Sequence, residues 1–185
     1  MKKLYFLFTL MFAFSIQSQV IITEIADPNN DYQARFIELT NIGDSAFDLT
    51  GYQLVRWTNA NTAYTTSSAV DLSEFGSLQS KGILTLANNT KFETVYGVAP
   101  TKVVGSGGPA DSNGDDNIAI LDPNGSIYDV YGVPGTDGTG QPHEFEDGRA
   151  ERKGSVTAPS STWDLNEWNI DNDAGAGDGA LDAPS

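Results

Sequence analysis

From residue 20 onward apolar and polar side chains alternate. In the run VIITEIA, Ile22, Glu24 and Ala26 fall on one face of an extended chain, and Ile21, Thr23 and Ile25 on the other. Successive residues of a strand point to opposite faces, so a period of two marks a half-buried β-strand. Phe36, Glu38 and Thr40 against Ile37, Leu39 and Asn41 repeat it. Runs of the same kind predict strands over Val20–Ala26, 35–41, 52–57, Ile83–Ala87, 102–104, 117–122 and 127–132. Several short strands separated by turn signals are the pattern of an all-β sandwich. Asp27-Pro28-Asn29-Asn30 separates the first two, and Asp122-Pro123-Asn124-Gly125 closes 117–132 into a hairpin. Only residues 89–96 carry helical spacing, through Phe92, Val95 and Tyr96, with Asn89 or Thr90 to cap the start, so one short helical turn is expected. Residues 105–114 and 133–140, rich in glycine, proline, serine and aspartate, read as surface loops.

Ahead of the first strand stand Met1-Lys2-Lys3, the apolar run LYFLFTLMFAFSI and the polar Gln17-Ser18-Gln19. This is the basic, apolar, cleavage-region order of a signal peptide, and the apolar run is too short for an ordinary membrane span. Ala13 and Ser15 fit a small-x-small cleavage rule and the strand pattern opens at Val20, so cleavage is expected between residues 15 and 19. No membrane-spanning segment is expected after cleavage, and the protein is expected to be secreted, at the cell surface or in the periplasm. The rest divides into a β-domain over 20–153 and a polar, loosely ordered C-terminal segment over 154–185, where IDNDAGAGDGALDAPS has little to bury.

The chain has 185 residues, 39% of them hydrophobic, which is enough for one domain with a real core. It has no cysteine, so disulfides and thiolate metal sites are excluded. Its net charge is −15, and removal of Lys2 and Lys3 leaves 8 basic against 25 acidic side chains, a net of −17. That field repels nucleic-acid phosphates and anionic membranes, making direct nucleic-acid binding an unsuitable role, and it favours basic partners and divalent cations.

Residues 20–56, with the order ITEIADP, then ARFIELTNIGDSAFDLTGYQL, resemble the lamin tail domain. A second block, NGDDNIAILDPNGSIYDVYGVPGTDGTG, is similar to the secreted bacterial branch of that family. The resemblance covers residues 20 to about 153. It implies an immunoglobulin-like β-sandwich and a non-catalytic binding or scaffolding module with an unidentified protein or glycan partner. No coiled-coil heptads precede the domain, so the filament role of nuclear lamins does not carry over. Two alternatives remain open: an accessory domain of a secreted nuclease or phosphatase, and a carbohydrate-binding module stacking sugars on Trp57, Trp163 or Trp168, although Trp163 and Trp168 read better as rings that pin the C-terminal segment onto the sandwich.

Candidate chemistry is sparse. His143, the single histidine, sits in GQPHEFEDG without a G-x-S-x-G elbow, and its acidic neighbours favour the protonated form. His143 therefore reads as an ordinary surface or packing histidine, and no catalytic residue is predicted. Glu24 and Glu38 read as partners of Arg35, Arg56 or backbone donors at a sheet edge. Arg149, Arg152 and Lys153, with Glu151, read as a solvated, ion-paired strand. In Asp111-Ser112-Asn113-Gly114-Asp115 side-chain oxygens recur at alternate positions, as in a calcium loop, with Asp122 at the distance of a terminal carboxylate. Two readings stand for Asp111, Asn113, Asp115 and Asp116: a calcium site, the one cofactor suggested, or caps of a turn. Asp116 stands where the calcium loop needs glycine, and Asp122 is claimed by its own turn.

Overall fold

The computed structural model describes residues 19–184, so the expected signal segment, apart from Gln19, lies outside the described residues. Twelve strands follow in chain order: β1 (Val20–Ala26), β2 (Phe36–Asn41), β3 (Phe47–Asp48), β4 (Gln53–Trp57), β5 (Val70–Asp71), β6 (Ser77–Leu78), β7 (Ile83–Ala87), β8 (Lys102–Val103), β9 (Asn117–Leu121), β10 (Ile127–Tyr131), β11 (Arg149–Arg152) and β12 (Trp168–Asp171). The single α-helix among the described residues, α1, is Lys91–Tyr96. A six-stranded sheet runs β12-β11-β1-β2-β7-β8, a four-stranded sheet β10-β9-β4-β5, and a small ribbon pairs β3 with β6. All pairings are antiparallel except β7 with β8.

The two larger sheets share one core. Val20, Ile22, Ile25, Ile37, Leu39, Leu84, Leu86, Ala150, Trp168 and Ile170 from the first meet Leu54, Ile118, Ile120 and Tyr131 from the second. Burying these side chains supplies the main favourable contribution to folding, since each large aliphatic or aromatic group removed from water is worth about 1.5–3 kcal/mol. The four-stranded sheet is apolar on its other face as well, where Val55, Trp57, Ala119, Leu121 and Val130 form a second cluster. This explains why β9 reads as an uninterrupted NIAIL run rather than an alternation.

Strand β1 departs from its simple alternation. A register shift lies between Ile22 and Glu24 in its pairing with β2. Val20, Ile22 and Ile25 all enter the core, while Ala26 joins the outer cluster under α1. The expected grouping of Ile22 with Glu24 and of Thr23 with Ile25 is thus corrected. A bulge adds one residue, and both Thr23 and Glu24 then sit on the outer face of the six-stranded sheet.

The C-terminal segment is also corrected. Trp168–Asp171 is not loosely ordered tail; it pairs with β11 through all four of its residues and forms an edge of the six-stranded sheet. Trp168 and Ile170 alternate inward, which is sufficient to bury one face. Asp171 then accepts hydrogen bonds from the backbone N–H groups of Asp178 and Gly179, at 2.6 and 2.7 Å. Asn30 binds both backbone groups of Ala183, and Asn29 N–H donates to the Leu181 carbonyl. The last residues therefore strap across the six-stranded sheet beside the β1–β2 loop, and the domain boundary expected at 153 falls between two paired strands.

Two turns have demanding geometry. The β9–β10 hairpin closes as expected, with Asp122 accepting from Asn124 and Ser126 and Gly125 at φ 79°. Gly114 has φ 96°, and a Cβ there would come within 2.2 Å of the Glu146 backbone. Gly114→Ala should lower stability by about 2 kcal/mol, combining left-handed strain with the close approach. A chemical-denaturation midpoint unchanged from wild type would contradict that.

Candidate binding cleft

The outer face of the six-stranded sheet carries a row of carboxylates. Register sets Glu151 of β11 opposite Glu24 of β1, and Glu24 opposite Glu38 of β2. Like charges directly opposite one another on adjacent strands are destabilising. Glu38 is relieved by the Thr23 hydroxyl, which donates to its Oε1 at 2.6 Å, with Thr40 at 3.3 Å. Glu24 has only Arg149, at 4.0 Å, and that guanidinium is shared with Glu151 at 3.4 Å and Asp171 at 3.7 Å. Burial first, then the neighbouring charges of Glu151 and Glu38, push the Glu24 carboxyl up to about 7.

A cleft of about 590 Å³ opens between Glu24, Ala26, Phe36, Tyr96 and Arg149 on the sheet side and residues 180–184 of the strap. Phe36, Phe92 and Tyr96 pack ring against ring at 4.5–5.3 Å, which holds α1 against the sheet and fixes the aromatic wall. Burial, then the charge of Glu24, raises the Tyr96 hydroxyl to about 12.

The expected partners of the two glutamates are corrected: Arg35 pairs with Asp27 and Asp111, and Arg56 with Asp116. Neither arginine reaches the carboxylate row, because each serves a buried or loop aspartate closer to its own strand end. In the basic cluster, Arg149 fits the ion-paired reading, but Arg152 is buried rather than solvated and binds Asp129 and Glu167.

The four candidate calcium ligands are not gathered into one site. Asp111 accepts from Asn88 and from the Gly107 backbone and faces Arg35. Asp116 takes Arg56 at 2.9 Å and the Asn59 N–H at 2.9 Å. Asp115 accepts from the Asn59 side chain at 2.8 Å, and Asn113 is exposed. Among the described residues no group of three or more histidine or acidic side chains is arranged to hold a metal. Asp115 and Asp116 both hold Asn59, and Asp111 ties Asn88 to the Gly107 backbone, so these side chains fasten separate segments of the chain together.

His143 is a packing residue, and only its charge state differs from its expectation. It is buried against Trp163, with ring centroids 5.5 Å apart, and its Nε2 has no hydrogen-bond partner. Burial pulls its ring below the usual histidine range, against the opposing charge of Asp137, so the neutral form is favoured. Trp57 and Trp168 are core residues and Trp163 is half-buried against both clusters, so no exposed row of these rings is available for sugars.

A family model for the lamin tail domain matches residues 15–135, the greater part of the chain. This chain belongs to the lamin tail domain family. The match ends before β11 and β12, so two strands of the six-stranded sheet, Arg149 and the strap lie beyond it. No curated protein matches the chain. The lamin tail domain here is an immunoglobulin-like β-sandwich, a fold that presents binding surfaces on a rigid frame. Among its described residues no helix is long and apolar enough to cross a membrane.

The titration of Glu24 gives this lamin tail domain a testable pH dependence. Its folded carboxyl lies above its unfolded value, so the folded state holds the proton more tightly between pH 4.5 and about 7. Stability from this group is full below pH 4.5 and falls as the pH rises through 7. At 1.36 kcal/mol per pH unit the loss is about 3 kcal/mol. Glu24→Gln should match wild type near pH 4.5 and be more stable by about that amount at pH 8. Parallel stability profiles for the two proteins in urea would refute it.

Proposed function

We propose that this protein is a secreted, non-catalytic binding module that acts outside the cell or at its surface and engages a protein through the outer face of its six-stranded sheet. The observation that carries this reading is the open cleft between that face and the strap, where Glu24 and Arg149 meet an aromatic wall. Ligand sites are typically concave and partly apolar with a few polar groups for orientation. Family membership supports a binding role, and the signal-like residues 1–15 support export.

A hydrolytic role finds no such support. A general base must stand within hydrogen-bond reach of a nucleophile, and His143 Nε2 bonds to nothing. Burial of Trp57 and Trp168 favours a protein over a glycan partner. The test is to purify the exported product, sequence its amino terminus and assay it on nucleic-acid, phosphate-ester and glycoside substrates. The mature chain should begin between residues 16 and 20 and show no turnover. Activity abolished by His143→Ala in a folded protein, or an intact Met1, would overturn the reading.

A further inference from the structure

Three carboxylates, Glu24, Glu151 and Asp171, share one guanidinium, and a fourth, Glu38, stands opposite Glu24. Arg149 lies within ion-pair range of three of them, and its Nε donates no hydrogen bond. Asp171 is wholly buried, and its Oδ2, on the Arg149 side, accepts no hydrogen bond. The face is short of positive charge, and its one buried carboxylate is incompletely satisfied. The chain's net charge of −15 offers no surplus of cations to correct this.

The same cleft has an apolar side. Ala26, Phe36, Leu181 and Pro184 line it together with the Tyr96 ring. A bare divalent ion fits it poorly, because no three of the carboxylates are arranged to hold a metal. Lysine and arginine side chains fit better. Their methylene stems cover apolar surface while the charged head reaches toward carboxylates, and a cation beside an aromatic face gains further attraction. Neighbouring strands are about 4.8 Å apart, so a head group above Glu24 interacts with the carboxylates on both sides.

We propose that the cleft binds an extended basic segment of a partner polypeptide, seating a lysine or arginine stem against Phe36 and Tyr96 with its charged head over the row Glu151, Glu24 and Glu38. This specifies the partner of the binding module proposed above and rests on that reading.

The test uses a fluorescein-labelled ten-residue peptide of alternating lysine and leucine, titrated into the mature protein at 50 mM salt, roughly the low-salt range in which charge-driven association is strong. A second peptide has every lysine acetylated, keeping the stems and removing the charge. The charged peptide should bind roughly tenfold more tightly than the acetylated one, and Glu24→Gln should lose most of that difference. Asp44→Asn, a change at a side chain 88% exposed in the β2–β3 loop, should behave as wild type and reports the long-range field alone. Equal affinity for the two peptides, equal losses in Glu24→Gln and Asp44→Asn, or no binding of the charged peptide would overturn the proposal. Capture of the acetylated peptide with equal affinity would leave the binding role standing while removing its charge specificity, whereas substrate turnover by the purified protein would remove the binding role itself.

Discussion

Arg152→Met should destabilise the protein by about 3–5 kcal/mol, the usual cost of removing one partner of a buried ion pair. Asp129 of β10 and Arg152 of β11 join the two sheets through the core, with side chains 0% and 1% exposed. Both carboxylate oxygens accept from the guanidinium, at 3.1 and 3.2 Å, and the backbone N–H groups of Ile22 and Ser160 complete the site at 2.9 Å each. Arg152 also binds Glu167 at 2.6 Å and lies 4.7 Å from the Trp168 ring centroid. Methionine keeps much of the stem but leaves the Asp129 carboxyl without its cationic partner in the interior. At roughly 2–4 °C per kcal/mol for a domain of this size, the melting temperature should fall by about 6–20 °C.

The pH dependence of that deficit has a definite sign. Burial already raises the Asp129 carboxyl, and the charge of Arg152 is the main opposing influence. Without Arg152 the folded carboxyl rises further, so stability is retained at acid pH and lost as the pH increases. The deficit should be smaller at pH 4 than at pH 8. A double variant, Asp129→Asn with Arg152→Met, removes both charges and should be less unstable than Arg152→Met alone. A single variant within 1 kcal/mol of wild type would show that the pair contributes nothing beyond its packing.

Trp168→Ala should cost a similar amount, about 3–5 kcal/mol, as for other large core aromatics. Its side chain is 3% exposed and meets Tyr131 edge to face with centroids 4.7 Å apart. Truncation empties the space between the edge strand, Tyr131 and the Arg152 stem. Urea denaturation should show a single transition at a lower midpoint, because β12 belongs to the same core as β1 and β9. A loss below about 1 kcal/mol, typical of an exposed position, would mean that residues beyond 154 are only loosely attached.

The difficulty of reading this tail from sequence has a physical cause. WNID contains two apolar residues, enough for a short edge strand but too few to stand above the surrounding glycine and aspartate. Strands β3, β5 and β6 are two residues each and give no periodic signal. The long strands were legible because Ile37 and Leu39, or Leu84 and Leu86, alternate with polar neighbours over a full face. The bulge in β1 was not, since Thr23 and Glu24 read as ordinary alternating residues until β2 fixes their register.

The candidate site divides along the same line. That Glu24 occupies a strand was visible, but its opposition to Glu151, more than a hundred residues away, is a product of topology. The aspartates of 111–116 had a conspicuous local pattern, yet their partners Arg35, Asn88, Arg56 and Asn59 reach them from elsewhere in the chain. His143 looked charged beside Glu144 and Glu146, whereas burial decides its state. Local spacing reports which residues share a loop, and only the packed sheet reports which share a surface.

The most direct test of the cleft as the binding surface is a map of amide chemical-shift changes as the lysine–leucine peptide is titrated into the isotope-labelled mature protein. The largest changes should cluster at Glu24, Ala26, Phe36, Tyr96, Arg149 and residues 180–183, and Glu24→Gln should suppress them. Changes concentrated instead around Asp111–Asp116 or the 133–148 loops, with the cleft residues unmoved, would contradict the assignment.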